Sequence, residues 1–105
     1  MKNALEILTG KRVVHISEYD AHIQIQFDDN STLDVFNRFK LTIEGNHDIG
    51  HLVGRIVKKF ECDKRKIEIQ FWPTARLVIG IENSDYNGPE ALVFVPESGS
   101  TVVWN

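Results

Sequence analysis

His22-Ile23-Gln24-Ile25-Gln26-Phe27 alternates apolar and polar residues without a break, and Lys66-Ile67-Glu68-Ile69-Gln70-Phe71 repeats the pattern 44 residues later. A β-strand turns successive side chains to opposite faces, so Ile23, Ile25 and Phe27 share one face, as do Ile67, Ile69 and Phe71. The 44-residue offset reaches further in both directions and needs no gap. Leu8, Gly10 and Val13 fall on Leu52, Gly54 and Val57, and Leu33 falls on Leu77. Across the 29 positions from Leu8 to Phe36 there are eight identities. Such self-similarity marks a repeated supersecondary unit, here spanning about 8–36 and 52–80.

A strand precedes each alternating strand (about Arg12–Ser17 and Arg55–Glu61), and one follows it (about Thr32–Phe36 and Ala75–Ile81). The connections are Glu18-Tyr19-Asp20, Asp28-Asp29-Asn30-Ser31, Asp63-Lys64-Arg65 and Trp72-Pro73-Thr74, rich in residues that accept turn geometry. Each unit is therefore expected to be a three-stranded antiparallel meander. Gly10 and Gly54 open the units where a left-handed residue would end a short helical turn, expected over Asn3–Leu8 and Asp48–Leu52. After the loop Asn83–Glu90, the stretches Ala91–Val95 and Thr101–Trp104 read as a final hairpin. The expectation is a single mainly β domain over residues 1–105 with eight strands. Its form is an antiparallel sandwich or partly open barrel in which the two meanders pack their Ile/Phe faces together.

The size suits one domain, since 105 residues and 12.0 kDa bury enough surface for one core. No apolar run has transmembrane length, and the N-terminal stretch, interrupted by Glu6, does not read as a signal peptide. Cys62 is the only cysteine, which excludes an internal disulfide and points to the cytoplasm. A net charge of −3 covers an uneven distribution. Ser17–Phe36 holds five acids and no Lys or Arg, Arg55–Arg76 holds seven bases against three acids, and Ile81–Asn105 holds four acids and no base.

The candidates for chemistry are few. His47 and His51 have helical ligand spacing, but two glycines make their segment a loop and no Cys completes a tetrahedral set. His15 and His22 lie near Glu18 and Asp20 without a nucleophile, and Cys62 has no identified base. No phosphate-cradling glycine motif is present. The expectation is a binding protein without metal, cofactor or catalytic residues. The alternative is a nucleic-acid-binding or regulatory small β domain; Lys58-Lys59 and Lys64-Arg65-Lys66 near Trp72 point to nucleic acid, and the overall acidity opposes it.

A protein partner fits better. The outward positions His22, Gln24 and Gln26, with Glu18, Asp20, Asp28, Asp29 and Asp34 around them, form an expected acidic surface for a basic partner. Phe36 is a candidate aromatic anchor. Charge reversal at Asp28 and Asp29 is expected to weaken that interaction and leave stability nearly unchanged.

Three features together resemble small bacterial cytosolic immunity proteins of the contact-dependent growth inhibition type. They are the repeated Leu8-Thr9-Gly10 and Leu52-Val53-Gly54, the paired Ile-x-Ile-x-Phe strands, and Gly88-Pro89-Glu90-Ala91 leading to Val102-Val103-Trp104. The resemblance implies a non-catalytic protein that binds a cognate toxin domain tightly and blocks its active site or substrate access; a monomer is expected. Such toxins are often nucleases, whose basic surfaces an acidic inhibitor can engage by mimicking phosphates; the basic second unit departs from that pattern.

Overall fold

The structure is a computed structural model that describes residues 7–19, 22–43, 49–86, 88, 90–97, 99 and 101–104. Nine strands are present among them: β1 (Val13–Glu18), β2 (Ile23–Phe27), β3 (Thr32–Val35), β4 (Phe39–Thr42), β5 (Val57–Cys62), β6 (Lys66–Phe71), β7 (Ala75–Gly80), β8 (Leu92–Val95) and β9 (Val102–Trp104). They form two antiparallel sheets, ordered β1-β2-β3-β8-β9 and β4-β7-β6-β5, which are not closed into a barrel. Of the helical turn expected over Asn3–Leu8, residues 3–6 lie outside the described residues. Its counterpart is a 3-10 turn over Ile49–Leu52; Asp48 also lies outside the described residues.

The two meanders match bond for bond. β1 pairs β2 with Val13 opposite Phe27 and Ile16 opposite Ile25, and β5 pairs β6 with Val57 opposite Phe71 and Phe60 opposite Ile69. Both pairings slip at the same place, between Val13 and His15 and between Val57 and Lys59, so each first strand carries the same bulge. The openings of the units clasp each other reciprocally. Gly10 N–H donates to Val57 C=O (2.8 Å) and Gly54 N–H to Val13 C=O (2.7 Å). Val13 N–H donates to Arg55 C=O (2.9 Å) and Val57 N–H to Lys11 C=O (2.8 Å). The equivalent residues Arg12 and Ile56 face each other in an isolated antiparallel bridge, which places an approximate twofold axis there.

β4 is a strand that the sequence reading did not include, and it changes the architecture. It leaves the first unit and pairs with β7 of the second, Phe39 opposite Ile79. β8 leaves the second unit and pairs with β3 of the first, Leu92 opposite Val35. The fourth strands are thus exchanged, and each sheet is completed by the other unit. The chain crosses between sheets at Asn37, which is buried and donates from its amide to Gly80 C=O (2.8 Å). Phe36 and Asn37 N–H both donate to Ala91 C=O, so the two crossings meet.

The core lies between the sheets. Ile25, Leu33, Val35, Ile67, Leu77 and Ile79 are fully buried, with Phe27, Phe71 and Phe94 closing both ends. The alternating period explains this arrangement: each meander has one apolar face and only the other meander can cover it. Trp104 packs on the core edge, its ring 6.4 Å from Phe60, whereas Trp72 is exposed.

Gly10 and Gly54 have φ of 90° and 91°, and a Cβ on either would touch nothing within 4 Å. Backbone conformation, not space, therefore selects glycine at both positions. Gly10→Ala and Gly54→Ala should each lower unfolding free energy by about 1–2 kcal/mol, and by similar amounts. Urea denaturation measures this; a variant as stable as the parent would contradict it.

Candidate functional site

The outer face of the five-stranded sheet carries His22, Gln24, Gln26 and Asp34, four of the eight residues that the sequence assigns to partner binding. Because Ile23, Ile25 and Phe27 point inward, Gln24 and Gln26 point outward, where both are half-buried. The register extends these positions into rows across the sheet. Ser17, Gln24, Asp34, Val93 and Val103 form one row; His15, Gln26, Thr32 and Val95 form the next. The face therefore grades from polar on β1 and β2 to apolar on β8 and β9, where Val95 and Val103 are 40% and 49% exposed.

Three rings stack at one end of this face. His22 lies between Tyr19 and Phe36, with ring centroids 4.7 Å apart on both sides. Phe36, the candidate anchor, is half-buried by this stack. His22 Nε2 stands 3.8 Å from Asp34 Oδ1, beyond hydrogen-bond length. Asp34 Oδ1 is buried and accepts no hydrogen bond among the described residues. A buried acceptor in that condition is open to a donor brought by a partner.

The acids do not form one patch. Glu18 ends β1 beside Ile23, and Asp20 lies outside the described residues. Asp28 and Asp29 sit beyond the other end of β2, a strand length of about 17 Å away. Asp29 is also part of the fold. Its carboxylate takes the Lys11 ammonium, the Ser31 hydroxyl and the Ser31 N–H (3.0 Å), while Asn30 adopts a left-handed φ of 68° to close the turn. The expectation that charge reversal at Asp29 leaves stability untouched is corrected by these bonds. Asp28 is exposed, weakly accepting from Arg12 N–H at 3.3 Å.

The basic second unit is largely paired with its own acids. Lys59 meets Glu61 at 2.6 Å, Arg65 meets Glu82 at 3.6 Å, and Lys66 and Arg76 meet Glu68 at 3.9 and 3.8 Å. Lys58 instead places its ammonium 4.4 Å from the Trp72 ring centroid. Phe60 and Phe71 are buried.

The histidines do not gather. His15 and His51 are exposed on separate elements, and His47 lies outside the described residues. Among the described residues no three His, Cys, Asp or Glu side chains come together in a way that could hold a metal ion. Cys62 is exposed at the end of β5, and burial of its thiol, then the Asp63 carboxylate, push its pKa up and away from a reactive thiolate.

Sequence reasoning missed Tyr19, Val93, Val95 and Val103. The signal for the valines was the alternation in Leu92–Val95, but assigning their face requires knowing that β8 lies beside β3.

Burial alone would raise the Asp29 pKa, but the hydrogen bonds from Lys11 and Ser31 outweigh it and hold the carboxyl down at about 2, against an ordinary 3.8. A depressed folded pKa stabilises above the unfolded value and loses that contribution as pH falls through the folded one. Asp29 is 37% exposed, so solvent screens part of the effect. Asp29→Asn should lose about 1 kcal/mol at neutral pH. Its deficit against the parent should fade between about pH 4 and pH 2. Thermal unfolding of both proteins across that range is the measurement; a deficit unchanged at pH 2 would remove the carboxylate from the account.

No protein-family model, curated protein or solved structure matches the chain.

Proposed function

We propose that the protein works without catalysis, by docking a cognate toxin domain on the outer face of its five-stranded sheet. Docking blocks the toxin's active site or the approach of its substrate. The observation that carries this reading is the Tyr19–His22–Phe36 stack and the exposed Val95 and Val103 on one face with the unpartnered Asp34 oxygen. Protein interfaces concentrate binding energy in aromatic and apolar anchors surrounded by polar groups, and this face offers both. Glu18 and Asp28 stand at its two ends, so a partner with basic margins, as on a nuclease, is favoured in both encounter and register. The proposal places the protein in the bacterial cytoplasm as a monomer, on the strength of the resemblance in its repeated Leu-x-Gly and Ile-x-Ile-x-Phe elements. No described helix is long and apolar enough to cross a membrane.

Nucleic-acid binding is the second reading, favoured by the exposed Trp72 beneath Lys58. The acids set beside Lys59, Arg65, Lys66 and Arg76 and the net charge of −3 weigh against a long phosphate track.

Cells expressing the toxin domain encoded upstream should survive when this protein is co-expressed. Tyr19→Ala combined with Val103→Glu should abolish that rescue and weaken toxin affinity at least about tenfold, with the thermal midpoint shifted by no more than a few degrees. Lys58→Ala should rescue as well as the parent. Full rescue by the double variant would remove this face from the interface, and failure of the parent to rescue would overturn the immunity reading itself.

A further inference from the structure

The duplication supplies an internal control. Two units with the same register and the same clasp satisfy the same folding requirements, so equivalent positions of opposed chemistry differ for reasons outside the fold. The sharpest contrast lies where the β5 bulge, the β6–β7 turn and the end of β4 meet. Lys58, Trp72 and Arg76 stand where the first unit has Val14, Asp28 and Thr32. Thr42 stands where β8 has Val95.

A cleft of about 350 Å³ opens at this corner, with Thr42, Lys58, Gln70, Pro73 and Arg76 on its wall and no carboxylate among its described lining residues. Trp72 is 53% exposed, lies in the chain between the lining residues Phe71 and Pro73, and has the Lys58 ammonium 4.4 Å from its ring centroid. Arg76 reaches Glu68 at 3.8 Å, outside hydrogen-bond length, and Glu68 already takes the Gln70 amide at 2.8 Å. The loss of acid extends to Arg55. It occupies the place of Lys11, and Pro73 stands in the repeat where Asp29 does, so it has no such carboxylate; its Nε donates to His51 C=O at 2.9 Å and its Nη1 is buried without a hydrogen-bond partner among the described residues.

We propose that this corner binds a phosphorylated planar ring, that is a nucleotide, with the ring stacked on Trp72 and the phosphate held between Lys58 and Arg76. Stacking of a base on an aromatic ring is stronger than contact with an exposed ammonium, so the ring displaces Lys58. The freed ammonium then gains a phosphate, a better partner than the ring it leaves. A cleft of this size suits a single nucleotide. The site lies on the four-stranded sheet and does not depend on toxin docking at the other face.

Titration with adenosine 5′-monophosphate, followed by the indole N–H resonances of Trp72 and Trp104, tests the proposal. Trp72 should shift and Trp104 should not, with Kd below about 1 mM. Adenosine alone and inorganic phosphate alone should bind at least about tenfold more weakly, as should the nucleotide to Lys58→Ala and to Arg76→Ala. Tyr19→Ala, altered on the opposite face, should bind nucleotide like the parent. A single strand of about eight nucleotides separates the two sources of this chemistry. Tighter binding of the strand than of the monophosphate identifies a nucleotide within single-stranded nucleic acid, and equal binding identifies the free nucleotide; either supports the site. A Trp72 resonance unmoved by both ligands at about 10 mM, or undiminished binding by Lys58→Ala and Arg76→Ala, overturns it.

Discussion

Four backbone hydrogen bonds between the segments opening the two units hold everything else in register. They run reciprocally among Gly10, Lys11 and Val13 on one side and Gly54, Arg55 and Val57 on the other, at 2.7–2.9 Å. Their placement brings Leu8, Val13, Leu52 and Val57 into the core together and sets both meanders with their apolar faces opposed. A three-stranded meander alone would leave that face in water, so each unit depends on the other to bury it. The exchange of β4 and β8 is a second lock, because removing one unit also removes the strand that completes the other sheet. Interdependence of this kind favours all-or-none unfolding.

The alternating strands were legible in the sequence because their period is local. β6 has the expected bounds, and β2 and β3 differ only by an end residue. β4 was not legible, for a physical reason. Its partner β7 is fixed by the sandwich and not by a neighbouring turn, and Phe39 pairs with a residue 40 positions away. Nor does the ungapped repeat reveal it. Phe39 and Leu92 hold equivalent places but lie 53 positions apart, because the second crossing is longer and contains a 3-10 turn over Asn83–Asp85. The partner surface was half legible. Outward Gln24 and Gln26 follow from the period, whereas summing acids along Ser17–Phe36 merged residues at opposite ends of a hairpin. The structural role of Asp29 was not legible, because Lys11, the cation that ties it down, comes from before β1.

Identity between the units tracks what the fold requires. Leu8, Val13, Ile23, Ile25, Phe27 and Leu33 are buried with their counterparts, and Gly10 and Gly54 share a positive φ. Gln26 and Gln70 are the exception, both half-buried on an outer face beside the bulge. Elsewhere the outer positions have diverged in charge and size. The same backbone thus presents a neutral to apolar face on one sheet and a charged face on the other.

The edges of the sheets favour the faces for the recognition proposed above. β1 and β5 carry bulges that interrupt their free ladders, and β4 and β9 are only four and three residues long. Edges so short or irregular offer little to an added strand, which leaves side chains to do the binding. Between the two faces, the four-stranded sheet pairs Lys59 with Glu61 at 2.6 Å and sets Lys66 near Glu68 at 3.9 Å. A broad protein interface there would have to desolvate or break those pairs. Among the described outward residues of the five-stranded sheet, His22 stands 3.8 Å from Asp34, and the exposed valines and rings there gain by burial. The docking proposed there would bring a donor to Asp34, whose buried Oδ1 accepts no hydrogen bond among the described residues.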